Sequence, residues 1–279
     1  MKDSFDYKKD IAQYACLRTR SPIKIDGKLN ETVWNKVLKS PRFVDIVAGN
    51  PAIYESRSAL LWDDKYLYIA FWCEEPYVEA HLTARDSFIW SENDVEVFID
   101  GGDTYYEFEL NALNTIYEVF YIWKDAYKKG SKFDVPEFDL IDNDALVFAG
   151  NNDRYSYNYF WRGEHPRGNR WTFFNWDFPG IKTAVYIDGK INDSKVIDKG
   201  WTAEIAFPWE GMKWLSNGRS LPPKDGDMWK MFLGRYEKFN MNGEVIHTGW
   251  AWNKIGTPDN HYPERFTNIH FSYDYIEDL

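Results

Sequence analysis

Two neighbouring stretches carry polar groups at every second position. Asp94 to Asp100 (DVEVFID) and Tyr105 to Ala112 (YYEFELNA) flank the loop Gly101-Gly102-Asp103-Thr104. A period of two sends successive side chains to opposite faces of a strand. If the loop closes a simple hairpin, Val97 lies opposite Phe108 and Glu96 opposite Glu109. Val95, Val97 and Ile99 then share a core face with Leu110, Phe108 and Tyr106. The other face carries Asp94, Glu96, Glu107, Glu109 and Asn111, with Phe98 among them. A one-residue slip would bury the acids, so the pattern specifies the register. Trp90 lies just upstream, placed to overhang the polar face. Carboxylates and amides beside an indole are equipment for gripping a polyhydroxylated ring. Charged acceptors make the stronger hydrogen bonds to hydroxyls, and the aromatic face takes the apolar C–H side.

Each of these residues has a plainer reading. Alternating acids commonly mark a solvated sheet face, and Glu107 fits that best. Glu96 and Glu109 are less comfortable, because like charges directly opposite destabilise a sheet. Arg235, Arg85, a cation or a shifted pKa must offset them. Two facing carboxylates could also hydrolyse a glycosidic bond. No GxSxG, HExxH, phosphate loop or dinucleotide fingerprint accompanies them, so binding without catalysis is the expectation.

The elements that must position these groups are mostly short strands. Tyr14 to Thr19 and Pro22 to Gly27 read as the first two. Asn30 can cap a short helix over Glu31 to Lys39, with Val33, Trp34, Val37 and Leu38 on one face. A hairpin pairs Arg57 to Trp62 with Tyr66 to Cys73. Further strands are expected at 116–122, 182–188, 200–207, 228–236 and 266–273. Residues 125–178 break the rhythm, with the Gly150-Asn151-Asn152 cluster beside aromatic runs at Tyr155 to Trp161 and Trp171 to Trp176. They read as a long insertion walling one side of a groove. The expected fold is all-β, an antiparallel β-sandwich of immunoglobulin-like or jelly-roll type. Residues 1–13 form a polar lead-in, and 14–279 form one domain.

Composition narrows the partners. The chain has 279 residues, 44% of them hydrophobic, and a net charge of -11. That charge argues against nucleic acid and against an anionic membrane surface. No run approaches the roughly 20 apolar residues of a spanning helix. Met1 to Asp10 lacks the apolar stretch of a signal peptide, so the chain reads as either cytoplasmic or a trimmed secreted or periplasmic form. Cys16 and Cys73 could pair, but two buried thiols are the simpler reading. The 14 Trp, 19 Tyr and 19 Phe exceed what one core needs, and exposed Trp points to binding. Trp34, Trp62, Trp72, Trp201 and Trp209 sit in apolar patterns and are assigned to the core.

Segments spread along the chain together resemble the carbohydrate-binding module family 9-like domains. They are PIKIDGKLNETVW, LLWDDKYLYIAFWCEEP, SENDVEVFIDGGDTYYEFELNALNT, GIKTAVYIDGKIND, DKGWTAEIAFPW, PPKDGDMWKMFLGRYE and WAWNKIGTPDNHYPERF. The resemblance implies a β-sandwich that binds an oligosaccharide or polysaccharide, often beside polysaccharide-degrading enzymes. It implies a terminal sugar ring held between two tryptophans, here Trp90 and Trp252, with Trp250 as the alternative to the second. Glu96 falls at the acidic position after the first Trp, and Arg235 at a recurrent position in FLGRYE. Structural calcium is also implied. Asp63-Asp64, Asp100 with Asp103, and Asp139-Asp142-Asp144 have the oxygen donors calcium uses, although solvated turn aspartates explain them more simply. Two features depart from the family pattern: the length of 125–178, and Asn253-Lys254 where Ser-Pro is usual. Outside sugar binding, an assembly domain that buries its aromatics against another protein is the main alternative. A haem sandwich is disfavoured, because the five histidines are scattered and no CxxCH is present.

Overall fold

A computed structural model describes residues 11–149, 165–241 and 243–279. The runs Gly150-Asn151-Asn152 and Tyr155 to Trp161 lie outside the described residues. The strands are β1 (Gln13–Arg18), β2 (Val44–Asp45), β3 (Ser56–Trp62), β4 (Tyr66–Glu74), β5 (Asp94–Asp100), β6 (Thr104–Asn111) and β7 (Ile116–Trp123). They continue with β8 (Leu146–Phe148), β9 (Arg170–Phe173), β10 (Lys182–Asp188), β11 (Gly200–Pro208), β12 (Met228–Met241), β13 (Glu244–Ala251) and β14 (Thr267–Tyr275). Their hydrogen-bonded order is β10-β11-β4-β3-β1-β14-β12-β5-β6-β7-β9-β8, with β13 beside β12 and β2 beside β13. All pairs are antiparallel except those of β1, which runs parallel to both β3 and β14. The expected all-antiparallel arrangement is corrected at that one strand, which joins the two halves of the sheet.

Those halves fold face to face as a sandwich. Leu60, Ile69, Phe71, Ile205 and Phe207 from one half meet Val95, Val97, Phe108, Leu110 and Phe120 from the other in a single buried cluster. Phe207 touches Phe108 across the layers, with ring centroids 5.5 Å apart. Burying such side chains contributes roughly 1.5–3 kcal/mol each, and this is what selects the β5–β6 register. Glu96 faces Glu109 and Val97 faces Phe108, as the alternation required.

Three local expectations change. The helix covers only Thr32–Lys36, and no side chain caps its N-terminus. Val33 and Trp34 are buried, but Leu38 is 78% exposed, because the chain turns extended at Val37 and leads Ser40 to bond Ser58. Residues 22–27 form no strand. The Asp26 and Gly27 amides donate instead to the Glu204 carboxylate. Strand β13 was not anticipated, because EVIHTGWA lacks a clean alternation. The described part of 125–178 is built into the sandwich: β9 pairs with β7, and Phe133, Phe138, Phe173, Trp176 and Phe178 join the core. Cys16 and Cys73 are free and buried. No helix among the described residues is long and apolar enough to cross a membrane.

Candidate functional site

The polar face of β5 and β6 looks away from the core, as the register demands, yet it is not solvated. Asp94, Glu96, Glu107, Glu109 and Asn111 are all buried. Two irregular segments, residues 75–93 and 252–266, fold over them. Asn111 Nδ2 donates to the Leu82 carbonyl at 2.9 Å and to Glu92 at 2.8 Å, fastening the first segment. Asn260 Nδ2 donates to Glu96 Oε2 at 2.7 Å, fastening the second. Phe98 on the same face packs against His261 and Phe266. An apolar cluster of Ile89, Tyr117, Ile255, Tyr262 and Phe266 closes around them.

Burial sets the charge of this face. It pushes the Asp94, Glu96 and Glu109 carboxyls well above their usual range, and repulsion from neighbouring carboxylates, Glu107 in every case, adds to the effect. Glu107 is pushed up to about 7 by burial, against a 2.5 Å hydrogen bond from the Tyr121 hydroxyl that favours its anion. His261 supplies no positive charge. Burial and the nearby Arg170 hold its pKa well below normal. Neither arginine offsets Glu96 and Glu109; burial raises their pKa values instead. Arg85 pairs with Glu118 and Asp177, and Arg235 is engaged elsewhere.

Asp94, Glu96 and Glu109 also present three oxygens within 4.8 Å of one another. Oxygens that share a calcium ion at about 2.3–2.6 Å can be that far apart. Among the described residues, Asp94 Oδ2 and Glu109 Oε2 have no hydrogen-bond partner. These residues could hold a divalent cation, which would neutralise the buried face. They are the one group of three or more such ligands among the described residues. The turn aspartates expected from sequence instead cap backbone amides: Asp63 those of Lys65 and Tyr66, Asp100 that of Gly102, and Asp139 those of Ile141 and Asp142.

The structure does not bring all six sequence-derived residues together. Glu96, Glu109 and Asn111 share one face. Trp90 sits beside them on a 3-10 turn (Ile89–Ser91) and is 50% exposed. Arg235 and Trp252 point the other way. Arg235 pairs with Val95, a core-facing position, whereas Glu96 pairs with Gly234. Trp252 bonds the Leu233 backbone and packs edge-on against Tyr14 at 4.9 Å inside the core. Trp250, two residues away, has the same parity and is buried too. Trp90 and Trp252 therefore lie on opposite sides of the sheet and do not flank a common space. Arg235 is locked by Glu75 at 2.9 Å and Glu237 at 2.5 Å. Glu75 also accepts from Trp201 Nε1 at 2.7 Å and Asn93 Nδ2 at 2.8 Å.

What sequence reasoning missed is Phe88. It is 57% exposed, its ring centroid is 5.6 Å from that of Trp90, and it rests against Tyr117 at 6.2 Å. Tyr117 is paired with Glu109 across β6 and β7, so this aromatic platform stands at the rim of the carboxylate face. The run Phe88-Ile89-Trp90, three apolar residues flanked by polar ones, was the available signal.

Residues 25–137 match the model of the family described as carbohydrate family 9 binding domain-like. The chain thus resembles that family over the region that holds the helix, β2–β7, Trp90 and the carboxylate face. The later motif segments lie outside the match. Among solved structures, a putative carbohydrate-binding protein from Bacteroides uniformis is 14% identical, with 94% of this chain and 100% of that chain covered and a TM-score of 0.56. A carbohydrate binding module family 9 protein from Caldicellulosiruptor kristjanssonii in complex with cellotriose is 13% identical, with 93% and 94% covered and a TM-score of 0.45. The first likeness shows a shared fold. Among curated proteins no sequence matches.

Proposed function

We propose that this chain binds carbohydrate without altering it, and that a sugar ring stacks on the exposed Trp90–Phe88 platform. The observation that carries this reading is a pair of half-exposed aromatic rings, backed by Tyr117, inside the segment that resembles a carbohydrate-binding family. Exposed neighbouring aromatics are costly in water and are characteristic of binding surfaces. Glu96, Glu109 and Asn111 support the platform from below. Asn111 pins the 82–92 segment through Leu82 and Glu92, and Glu92 receives the His81 and Leu82 amides. Arg235 and Trp252 hold the sandwich together beneath that surface.

Burial of Glu96, Glu107 and Glu109 supports binding over hydrolysis. A general acid and its partner must reach both sides of the scissile bond, and these carboxylates are sealed beneath two segments. The test is to incubate the protein with neutral oligosaccharides, following heat of binding and release of reducing ends together. Saturable heat with no new reducing ends is expected. New reducing ends, abolished by Glu96→Gln, would overturn the non-catalytic reading. Folded protein that binds no glycan would move the platform to a protein–protein contact.

A further inference from the structure

A second surface lies on the other half of the sandwich. The outer face of β10-β11-β4-β3 is covered at one end by residues 23–37, where Val33 and Trp34 pack on Ala59, Leu61 and Ala70. At the other end it is open and forms a cleft of about 730 Å³. The strand registers set Arg57 against Trp72, Trp72 against Thr202, and Thr202 against Tyr186. One straight row across four strands thus reads basic, aromatic, small, aromatic. Adjacent strands stand about 4.8 Å apart, so the two rings are separated by roughly 10 Å with a low floor between them. The floor continues at Gly200, whose φ is +135°, and a Cβ there would lie 1.9 Å from the Cys73 carbonyl. No side chain can rise at that position. Trp72, assigned to the core from sequence, is half-buried and lines this cleft. Tyr186 is 44% exposed.

The charge of the cleft runs against that of the chain. A protein of net charge -11 gathers Lys28, Lys39, Arg57 and Lys199 here, against Glu55, Glu74 and Asp188. Arg57 is paired with Glu55 at 2.6 Å and Lys199 with Asp188 at 3.0 Å. Among the described residues, no carboxylate lies at salt-bridge distance from Lys28 or Lys39. The Lys39 ammonium sits 3.8 Å from the centre of the Trp72 ring. Partial burial and the nearby Arg57 charge press its pKa down, with Glu55 opposing them, and an incoming anion would offset the Arg57 repulsion.

We propose that this cleft is a second carbohydrate-binding surface, separate from the Trp90 platform, and that it takes a glycan segment bearing carboxylate groups. Tyr186 and Trp72 flank the sugar rings above Thr202 and Gly200, while Lys39 and Lys28 meet the uronate carboxylates. The inference shares with the Trp90 reading only the premise that this chain handles glycans.

The test titrates short oligogalacturonates, and neutral cello-oligosaccharides of equal length, into wild type, Tyr186→Ala, Lys39→Gln and Trp90→Ala. Thermal melts confirm that each variant is folded. Oligogalacturonate affinity should fall about tenfold in Tyr186→Ala and severalfold in Lys39→Gln. It should weaken with added salt, because exposed charge pairs are screened, and it should be unchanged in Trp90→Ala. In Trp90→Ala, equal affinity for acidic and neutral oligosaccharides would overturn the anionic assignment. Oligogalacturonate binding untouched by Tyr186→Ala and Lys39→Gln, or no such binding, would overturn the site. Loss of neutral-sugar binding in Trp90→Ala, together with no oligogalacturonate binding by wild type, would leave the first reading intact while the second failed.

Discussion

Glu237→Gln should stabilise the protein at alkaline pH and leave it unchanged at acid pH. Buried Arg235 is held between two buried carboxylates, Glu75 and Glu237. One guanidinium cannot neutralise both in a site closed to water, so the triad carries a surplus negative charge unless it binds a proton. Burial, opposed by Arg235, pushes Glu237 up to about 8 from its ordinary 4.5. A carboxyl with a raised folded pKa binds its proton on folding. The stability this confers is present at low pH and is lost as pH rises from about 4.5 through about 8. At about 1.4 kcal/mol per unit, that shift has a ceiling of about 5 kcal/mol. Because the proton is shared with the Arg235–Glu75 pair, we take roughly half, about 2 kcal/mol. Glutamine keeps an oxygen for Arg235 and removes the charge. Urea unfolding at pH 5 and pH 8 measures the difference directly, and the wild type serves as control for the carboxylate face, which slopes the same way. Glu277 has the opposite sign: hydrogen bonds from Ser21 and Thr19, working against burial, hold it at about 2. Its effect falls below pH 4.5, outside the window. A Gln variant no more stable than wild type at pH 8, or equally stabilised at pH 5, would refute the argument.

Two further outcomes follow from burial. Trp252→Ala should cost about 3–5 kcal/mol, or prevent folding, because it empties a core position against Tyr14, whereas Trp90→Ala should stay within about 1 kcal/mol of wild type by thermal unfolding. Cys16 and Cys73 should resist a thiol-specific reagent in native protein and both react in denaturant, since burial raises both thiols, that of Cys73 to about 12; reaction of either in native protein would contradict their placement.

The β5–β6 hairpin was fully legible, because both strands alternate cleanly and a four-residue loop leaves one register. Parity along a strand could also have placed Arg235, which shares its face with Leu233 and so turns inward. Trp252 lies just past β13, whose sequence has no clean alternation to read. The family motif placed both at the site, and for Arg235 the alternation of FLGRYE was the better guide. Burial of Glu96 and Glu109 was not legible. The segments that cover them have no period, and their fastening through Asn111 and Asn260 is a tertiary event. The cleft over Trp72 was hidden for a related reason. Trp72 lies in an apolar run, YLYIAFWCE, that reads as core on both faces, and only the limited reach of residues 23–37 leaves one end of that sheet open.

The most direct test of carbohydrate binding at the platform is calorimetric titration of neutral oligosaccharides, with free and with chemically reduced ends, into wild type, Trp90→Ala and Phe88→Ala. The account expects saturable binding by wild type and a loss of at least tenfold in each variant, with melting temperatures unchanged, because central aromatic contacts are worth about 1–2 kcal/mol or more. Wild-type binding that survives both substitutions would contradict the account and place the sugar elsewhere on the sandwich.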